Sequence, residues 1–259
     1  MNKLTCIENY IDTNNNHFGS FLIEPLELGQ GITLGNSLRR TLLSDLTGLA
    51  ITGVRINNLK HEFSIIEGLR EDILEVLLNL KEIKFKNSFS FKENLSLASS
   101  SGFKLKGFLK IKGPIVITAG MFNLPKNIIK IINPNQYICT IVDNSEIYLE
   151  IDIEKGKGYR LGEEYIKYPK KRSTLFIDAL FMPIKKVNYK IKLIHDTEGN
   201  IKESLNLEIL TNGTISPERS LQESLKILIN LFYPLFVNPN FLMASSELSN
   251  NINKEQKFL

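Results

Sequence analysis

An α+β fold is predicted by two periodicities that take turns along the 259-residue chain. Apolar residues recur at helical spacing in "TLGNSLRRTLLSDL", "EGLREDILEVLLNLKEI" and "SPERSLQESLKILINLFYPLF". By contrast, "IYLEIDIEK" and "NYKIKLIHDTEGNIKESLNLEIL" alternate with the period of half-buried strands. An apolar content of 42% with 23% charged residues suits an ordinary globular core of one large domain or two modest ones.

Composition also excludes several classes. No apolar run approaches the ~18 residues of a membrane span, and "MNKLTCIENY" lacks a signal core. The expectation is a soluble chain, without membrane contact, in a reducing compartment. Cys6 and Cys139 are too few for a disulfide scaffold or a multi-cysteine zinc module. A net charge of +4, scattered along the chain, permits a nucleic-acid or acidic partner without demanding one. Lys outnumbers Arg 25 to 7, a bias of A+T-rich codons that speaks of origin rather than chemistry.

Taken in order, the first fifteen residues read as a loose lead-in, and "HFGSFLIEPLEL" as strand closed by Gly29 and Gly31. A helix follows from about Thr33 to Leu46, with Thr33 as N-cap and Gly48 as its end. "AITGVRINNL" returns to strand alternation, and a second helix spans "EGLREDILEVLLNLKEI" with a stripe of Leu69, Ile73, Val76, Leu77 and Leu80. Residues 84–172 read as a sheet-rich module closed by the basic loop "KYPKKRS". The section 188–210 is a hairpin turning near Asp196 to Asn200. Ser216 then caps a final helix, with Pro217 at its first position and Glu218 at the positive end of its dipole. Pro234 is expected to end or kink that helix, and residues 238–259 are read as a disordered polar tail.

No catalytic constellation emerges. His17, His61 and His195 lack paired metal-ligand spacing. In "EIDIEKGKGYRLGEE" the third glycine falls one residue late for a dinucleotide fingerprint, so a glycine turn is expected. No phosphate-binding loop, nucleophile elbow or acidic magnesium cluster is present, and no cofactor is predicted. Lys167, Lys170, Lys171 and Arg172 read as a solvated loop.

The first helix carries a sharper question, two adjacent arginines. At ~100° per residue, Leu34, Gly35, Leu38, Leu42, Leu43 and Leu46 share an arc wide enough to bury. Arg39 lies at the edge of that arc, while Arg40 points outward beside Asn36 and Ser44. Gly35 costs about 1 kcal/mol relative to Ala, which implies that another backbone passes close by. An outward Asn and Arg beside a packed seam suit docking of a second protein.

"PLELGQGITLGNSLRRTLL" and "HEFSIIEGLREDILEVLLNLK" resemble the alpha subunits of bacterial-type, including plastid-encoded, DNA-directed RNA polymerase. The resemblance continues through "GPIVITA", "YICTIVD", "GKGY", "FIDALFMPIKKVNYKI" and "LEILTNGTISPE", covering about residues 15 to 237 in order. It implies a discontinuous dimerisation domain, a sheet plus two packed helices from residues 1–47 and 173–237, with a β-rich domain of 48–172 inserted. The resemblance places Leu34, Gly35, Leu38, Arg39, Leu42, Leu46, Leu221, Leu225, Leu228 and Phe232 at the dimer seam. It places Asn36, Arg40, Glu67, Gly68, Glu71 and Asp72 in docking of the beta subunit, with beta-prime-type subunits joining afterwards. Catalysis is then expected in the large subunits, and DNA contact only through the assembled polymerase.

Family members commonly continue into a C-terminal DNA-binding domain, for which the 22 residues after Val237 are too few. The Asn, Lys and Ile bias favours a plastid (chloroplast stroma) origin over the cytoplasm of an A+T-rich bacterium. A rival reading, a free-standing nucleic-acid-binding protein, lacks an aromatic-interleaved basic face or a reading helix in the sequence.

Overall fold

The protein is described by a computed structural model that covers residues 3–57, 59, 61–87, 104–125, 128–166, 174–196 and 199–237. The "KYPKKRS" loop and the proposed tail lie outside the described residues. The chain builds two cores and crosses between them twice.

The first core lies under a four-stranded antiparallel sheet of β1 (Lys3–Ile11), β2 (His17–Leu26), β13 (Ile184–His195) and β14 (Ile201–Thr211), ordered β1-β2-β14-β13. The lead-in is thus strand β1. Every residue of β1 is exposed, so main-chain pairing with β2 from Lys3↔Glu24 to Ile11↔His17 defines it rather than burial. β13 and β14 form the expected hairpin, in register from Ile184↔Thr211 to His195↔Ile201.

Two helices cover this sheet, α1 (Gln30–Ser44) and a last helix over Pro217–Val237. Leu38, Leu42 and Leu46 of the α1 region meet Phe21, Val187, Leu207, Ile209 and Leu221 in one buried cluster. Thr33 is not the N-cap of α1. The N-cap lies four residues earlier at Gly29, whose φ of 86° is left-handed. The carboxylate of Glu203, on β14, accepts from the N–H groups of Gly29 (2.9 Å) and Gly31 (2.8 Å). A long-range anion thus caps the helix dipole, and the Thr33 hydroxyl instead donates to the Gly29 carbonyl (3.1 Å).

The second core is built on a sheet ordered β11-β3-β9-β5, from β3 (Thr47–Ile56), β5 (Lys104–Lys112), β9 (Glu146–Lys157) and β11 (Leu175–Phe176). α2 (Ile73–Lys81) and the small pairs β4 (Phe85–Asn87) with β7 (Ile129–Ile131) and β6 (Ile115–Thr118) with β8 (Tyr137–Ile141) close it. Ile147, Leu149, Ile151 and Ile153 of β9 all point into the core, as their alternation predicts. β3 departs from its expected alternation. Residues 50–54 are all buried, because a bulge between Ile51 and Gly53 shifts the register.

Helix α2 is shorter than its sequence pattern. Gly68 adopts φ 82° and Asp72 is extended (ψ 152°), so Leu69 falls outside the helix and bridges Ile141 instead. A short helix, α3 (Gly162–Ile166), follows β10 (Tyr159–Arg160), which pairs with β12 (Ala179–Leu180). Gly158 takes the turn conformation expected of "GKGY", with φ 67°. The last helix, α4 (Pro217–Val237), runs through Pro234 rather than ending there. That stretch is exposed, so backbone groups freed by the missing proline N–H face water.

The crossings are placed by packing. Leu46 belongs to the first core and Ile51 to the second. On the return, Leu175 and Ile177 are still in the second core and Ile184 is in the first, so the crossing lies past the predicted boundary at 172. Phe181 sits at this junction with Ala50 and Ala179. A Cβ on Gly48 would lie 2.1 Å from the Phe181 carbonyl oxygen, and one on Gly156 would lie 2.8 Å from its ring. Gly48 is therefore a strand residue under backbone contact, not the end of α1.

Leu42→Ala is expected to lower the unfolding free energy by about 2–5 kcal/mol through a cavity in the first core, read from the urea midpoint. Leu42→Glu is expected to abolish the cooperative transition, since the charge would be buried without a partner.

Candidate functional site

The described surface offers two candidate contact regions, one on the first core and one with residues from both. The first is an apolar groove between the start of α1 and the second half of α4. It encloses about 860 Å³ and is lined from one side by Leu28, Gly29, Gln30, Thr33, Leu34 and Ser37. From the other side come Leu225, Leu228, Ile229, Phe232, Tyr233 and Phe236. Beyond Leu225 the helix is apolar around most of its circumference, which leaves Ile229 60%, Phe232 59% and Phe236 84% exposed. A helix of this kind calls for burial in a larger assembly.

The residues predicted for a seam divide into two groups. Leu34, Leu225, Leu228 and Phe232 line the groove. Leu38, Leu42, Leu46 and Leu221 do not, because each is at most 2% exposed within the chain's own core. Gly35 faces inward too: a Cβ there would stand 2.8 Å from the Tyr189 ring, so the close neighbour is an aromatic side chain of β13 and not another helix. Arg39 reaches back along its own domain and donates to the Val187 carbonyl at 2.9 Å. Ile229, Tyr233 and Phe236 complete the groove but were absent from the predicted set. The stretch "ILINLFYPLF", apolar apart from Asn230 and the Tyr233 hydroxyl, carried that signal, since it leaves almost no polar face to turn toward water.

The second region divides in a similar way. Arg40 is exposed and its guanidinium has no hydrogen-bond or carboxylate partner among the described residues. Asn36 is exposed but accepts from the Tyr189 hydroxyl at 2.8 Å, which fixes its amide. On the other core, Glu67 and Asp72 are exposed, whereas Glu71 is a structural clamp. Its carboxylate accepts from the Tyr137 hydroxyl and, at 2.7 Å, from the Thr140 N–H, tying the segment before α2 to β8. Burial and this carboxylate push the Tyr137 phenol above its ordinary range. Gly68 holds a left-handed φ of 82°, and a Cβ there would meet the Asp143 carboxylate and the Ser145 hydroxyl at 2.2 Å. Arg40 stands on the first core and the Glu67–Asp72 segment on the second. Around that segment, Phe63 and Ile65 are exposed (79% and 86%), as are Leu74 and Leu78 one turn apart on α2.

No group of three or more His, Cys, Asp or Glu able to hold a metal forms among the described residues. Nor does any described helix qualify as long and apolar enough to cross a membrane. The buried Cys139 thiol is pushed up to about 12, first by desolvation and then by Glu71.

Glu71→Gln is expected to destabilise the second core by about 1–3 kcal/mol, while Glu67→Gln shifts the melting curve by less than about 0.5 kcal/mol. Differential scanning calorimetry of both variants checks the division between clamp and surface. Native alkylation with iodoacetamide at pH 8 is expected to label Cys6, which is exposed, and to spare Cys139 until the chain is unfolded. Mass spectrometry of the labelled peptides reads the difference.

Residues 54–182 match the RNA polymerase Rpb3/RpoA insert domain, which coincides with the second core and extends past 172 as the packing does. A DNA-directed RNA polymerase subunit alpha of Gracilaria tenuistipitata var. liui is 44% identical over 244 residues, covering 94% of this chain and 73% of that one. The corresponding subunit of Rhodomonas salina is 45% identical over 233 residues, with 90% and 70% covered. That of the cyanobacterium Nostoc sp. is 41% identical over 234 residues, with the same coverage. With the double-crossed two-core fold already in place, this similarity over nine-tenths of the chain decides the matter: it belongs to the alpha subunits of DNA-directed RNA polymerase.

Proposed function

We propose that two copies of the chain pair through the groove between α1 and α4, and that the pair scaffolds polymerase assembly in the plastid stroma. The observation that carries the reading is the exposed apolar second half of α4, which lies beside an apolar groove on the same chain. A surface that presents both a ridge and a groove is self-complementary. A two-fold pair buries both features at once and leaves no open end.

Arg40 supports the next step. A guanidinium without a partner, next to an Asn fixed by Tyr189, offers planar donors to a carboxylate or carbonyl of a second protein. We assign it to the beta subunit, together with Asn36, Glu67 and Asp72. Gly68 and Glu71 support that surface by shaping its loop. Beta-prime-type subunits join the same scaffold. Nucleotidyl transfer then belongs to the large subunits, and DNA is contacted through the assembled enzyme.

Ile229→Glu with Phe232→Glu is expected to give monomers in size-exclusion chromatography with light scattering while keeping the circular dichroism of the wild type. A persistent dimer would move the seam elsewhere. Arg40→Ala is expected to keep the dimer but to weaken capture of beta at least about tenfold in co-purification, as for a truncated Arg anchor. Normal capture would remove Arg40 from the docking surface.

A further inference from the structure

We propose that the cleft between the two cores, where α4 begins, binds a compact oligophosphate, either free or as the phosphate chain of a nucleotide. The cleft holds about 350 Å³, at the small end of ligand-site volumes. One wall comes from Thr47–Leu49 of β3 and Phe85–Asn87 of β4, the other from Thr214–Ser216 and the first turns of α4.

Charge is what distinguishes it. Lys86, Lys155, Arg219 and Lys226 all line this small volume, and the one carboxylate among its described lining residues, Glu223, is bound by Arg219 at 3.1 Å. Glu218, the acid of the first turn of α4, is turned away to accept from the Asn9 amide at 2.9 Å. On the sheet that carries Lys155, by contrast, Lys104 pairs with Glu154, Lys106 with Glu150 and Lys110 with Glu146. Lys86 and the half-buried Lys155 have no such partner among the described residues.

Like charges gathered in a concavity repel more strongly than on an open surface, because the local dielectric is lower. The field is felt nearby. The His17 imidazole is lowered first by burial and then by Lys86. The positive end of the 21-residue α4 adds to the same potential. A multivalent, compact anion relieves all of these at once, whereas an extended acidic peptide would reach only some of them. Leu49, Phe85 and Ile215 supply an apolar wall beside the cations, suited to a base or ring attached to the phosphates.

The test is calorimetric titration of the full chain at low ionic strength with inorganic tripolyphosphate, ATP and adenosine, repeated on Lys86→Gln/Lys155→Gln. Saturable one-to-one binding of tripolyphosphate, weakened at least tenfold in the double variant without loss of its melting temperature, is expected. ATP binding more tightly than tripolyphosphate would identify a nucleotide tail as the source, and equal affinity a free oligophosphate. No saturable binding, or equal binding by the double variant, would overturn the proposal. So would displacement of tripolyphosphate by a single-stranded oligonucleotide at lower concentration than ATP requires, which would assign the cleft to nucleic-acid backbone.

Discussion

Phe181 sits where the two cores meet, packed against Ala50 and Ala179. The chain leaves one core after Leu46 and returns to it at Ile184, and both crossings run past this ring and its backbone. Two strands approach so closely there that Gly48 and Gly156 have no room for a side chain. A Cβ at either position would have to displace a carbonyl or an aromatic ring, which a packed junction resists. The two bodies are therefore joined by contact as well as by chain, and the cationic cleft opens beside the same junction, between β3 and the start of α4.

Helix α1 shows how one short element serves several surfaces. Leu38 and Leu42 are consumed by its own sheet, and Gly35 exists to admit Tyr189. The same Tyr189 then fixes Asn36 on the outside, so burial on one face orders a polar group on the other. Arg39 is satisfied within the domain and Arg40 is left over. Adjacent arginines with one paired and one unpaired are what a helix presents when its axis borders both a packed sheet and an open face. In α4 the division runs along the axis instead. Its first half is amphipathic and packed, and its second half is apolar where no part of the described chain covers it.

Much of this was legible from periodicity. The hairpin at 184–211, the inward face of β9, the amphipathic α2 and the helix after Ser216 were readable because burial is one-sided there and leaves a repeating pattern. β1 was not readable, since an all-exposed edge strand has no buried face to mark it. The true start of α1 was hidden because its cap, Glu203, lies 172 residues from Gly31 in sequence. The packing of Leu175 and Ile177 into the second core was not legible, because they reach it as isolated residues rather than as a periodic run.

Fold class, family and the apolar faces of the helices could be read from residue order alone, because these rest on local spacing and on long motifs. Which leucines remain available to a partner was decided only by the tertiary structure. A helical wheel cannot tell a residue buried against its own sheet from one awaiting another chain, since both are apolar on the same arc. The same holds for charge: Glu71 and Glu67 look alike in a string, yet one closes on Thr140 and the other faces water. The cationic cleft, too, draws Lys86, Lys155 and Lys226 from segments far apart in the chain, and only folding brings them to one lining.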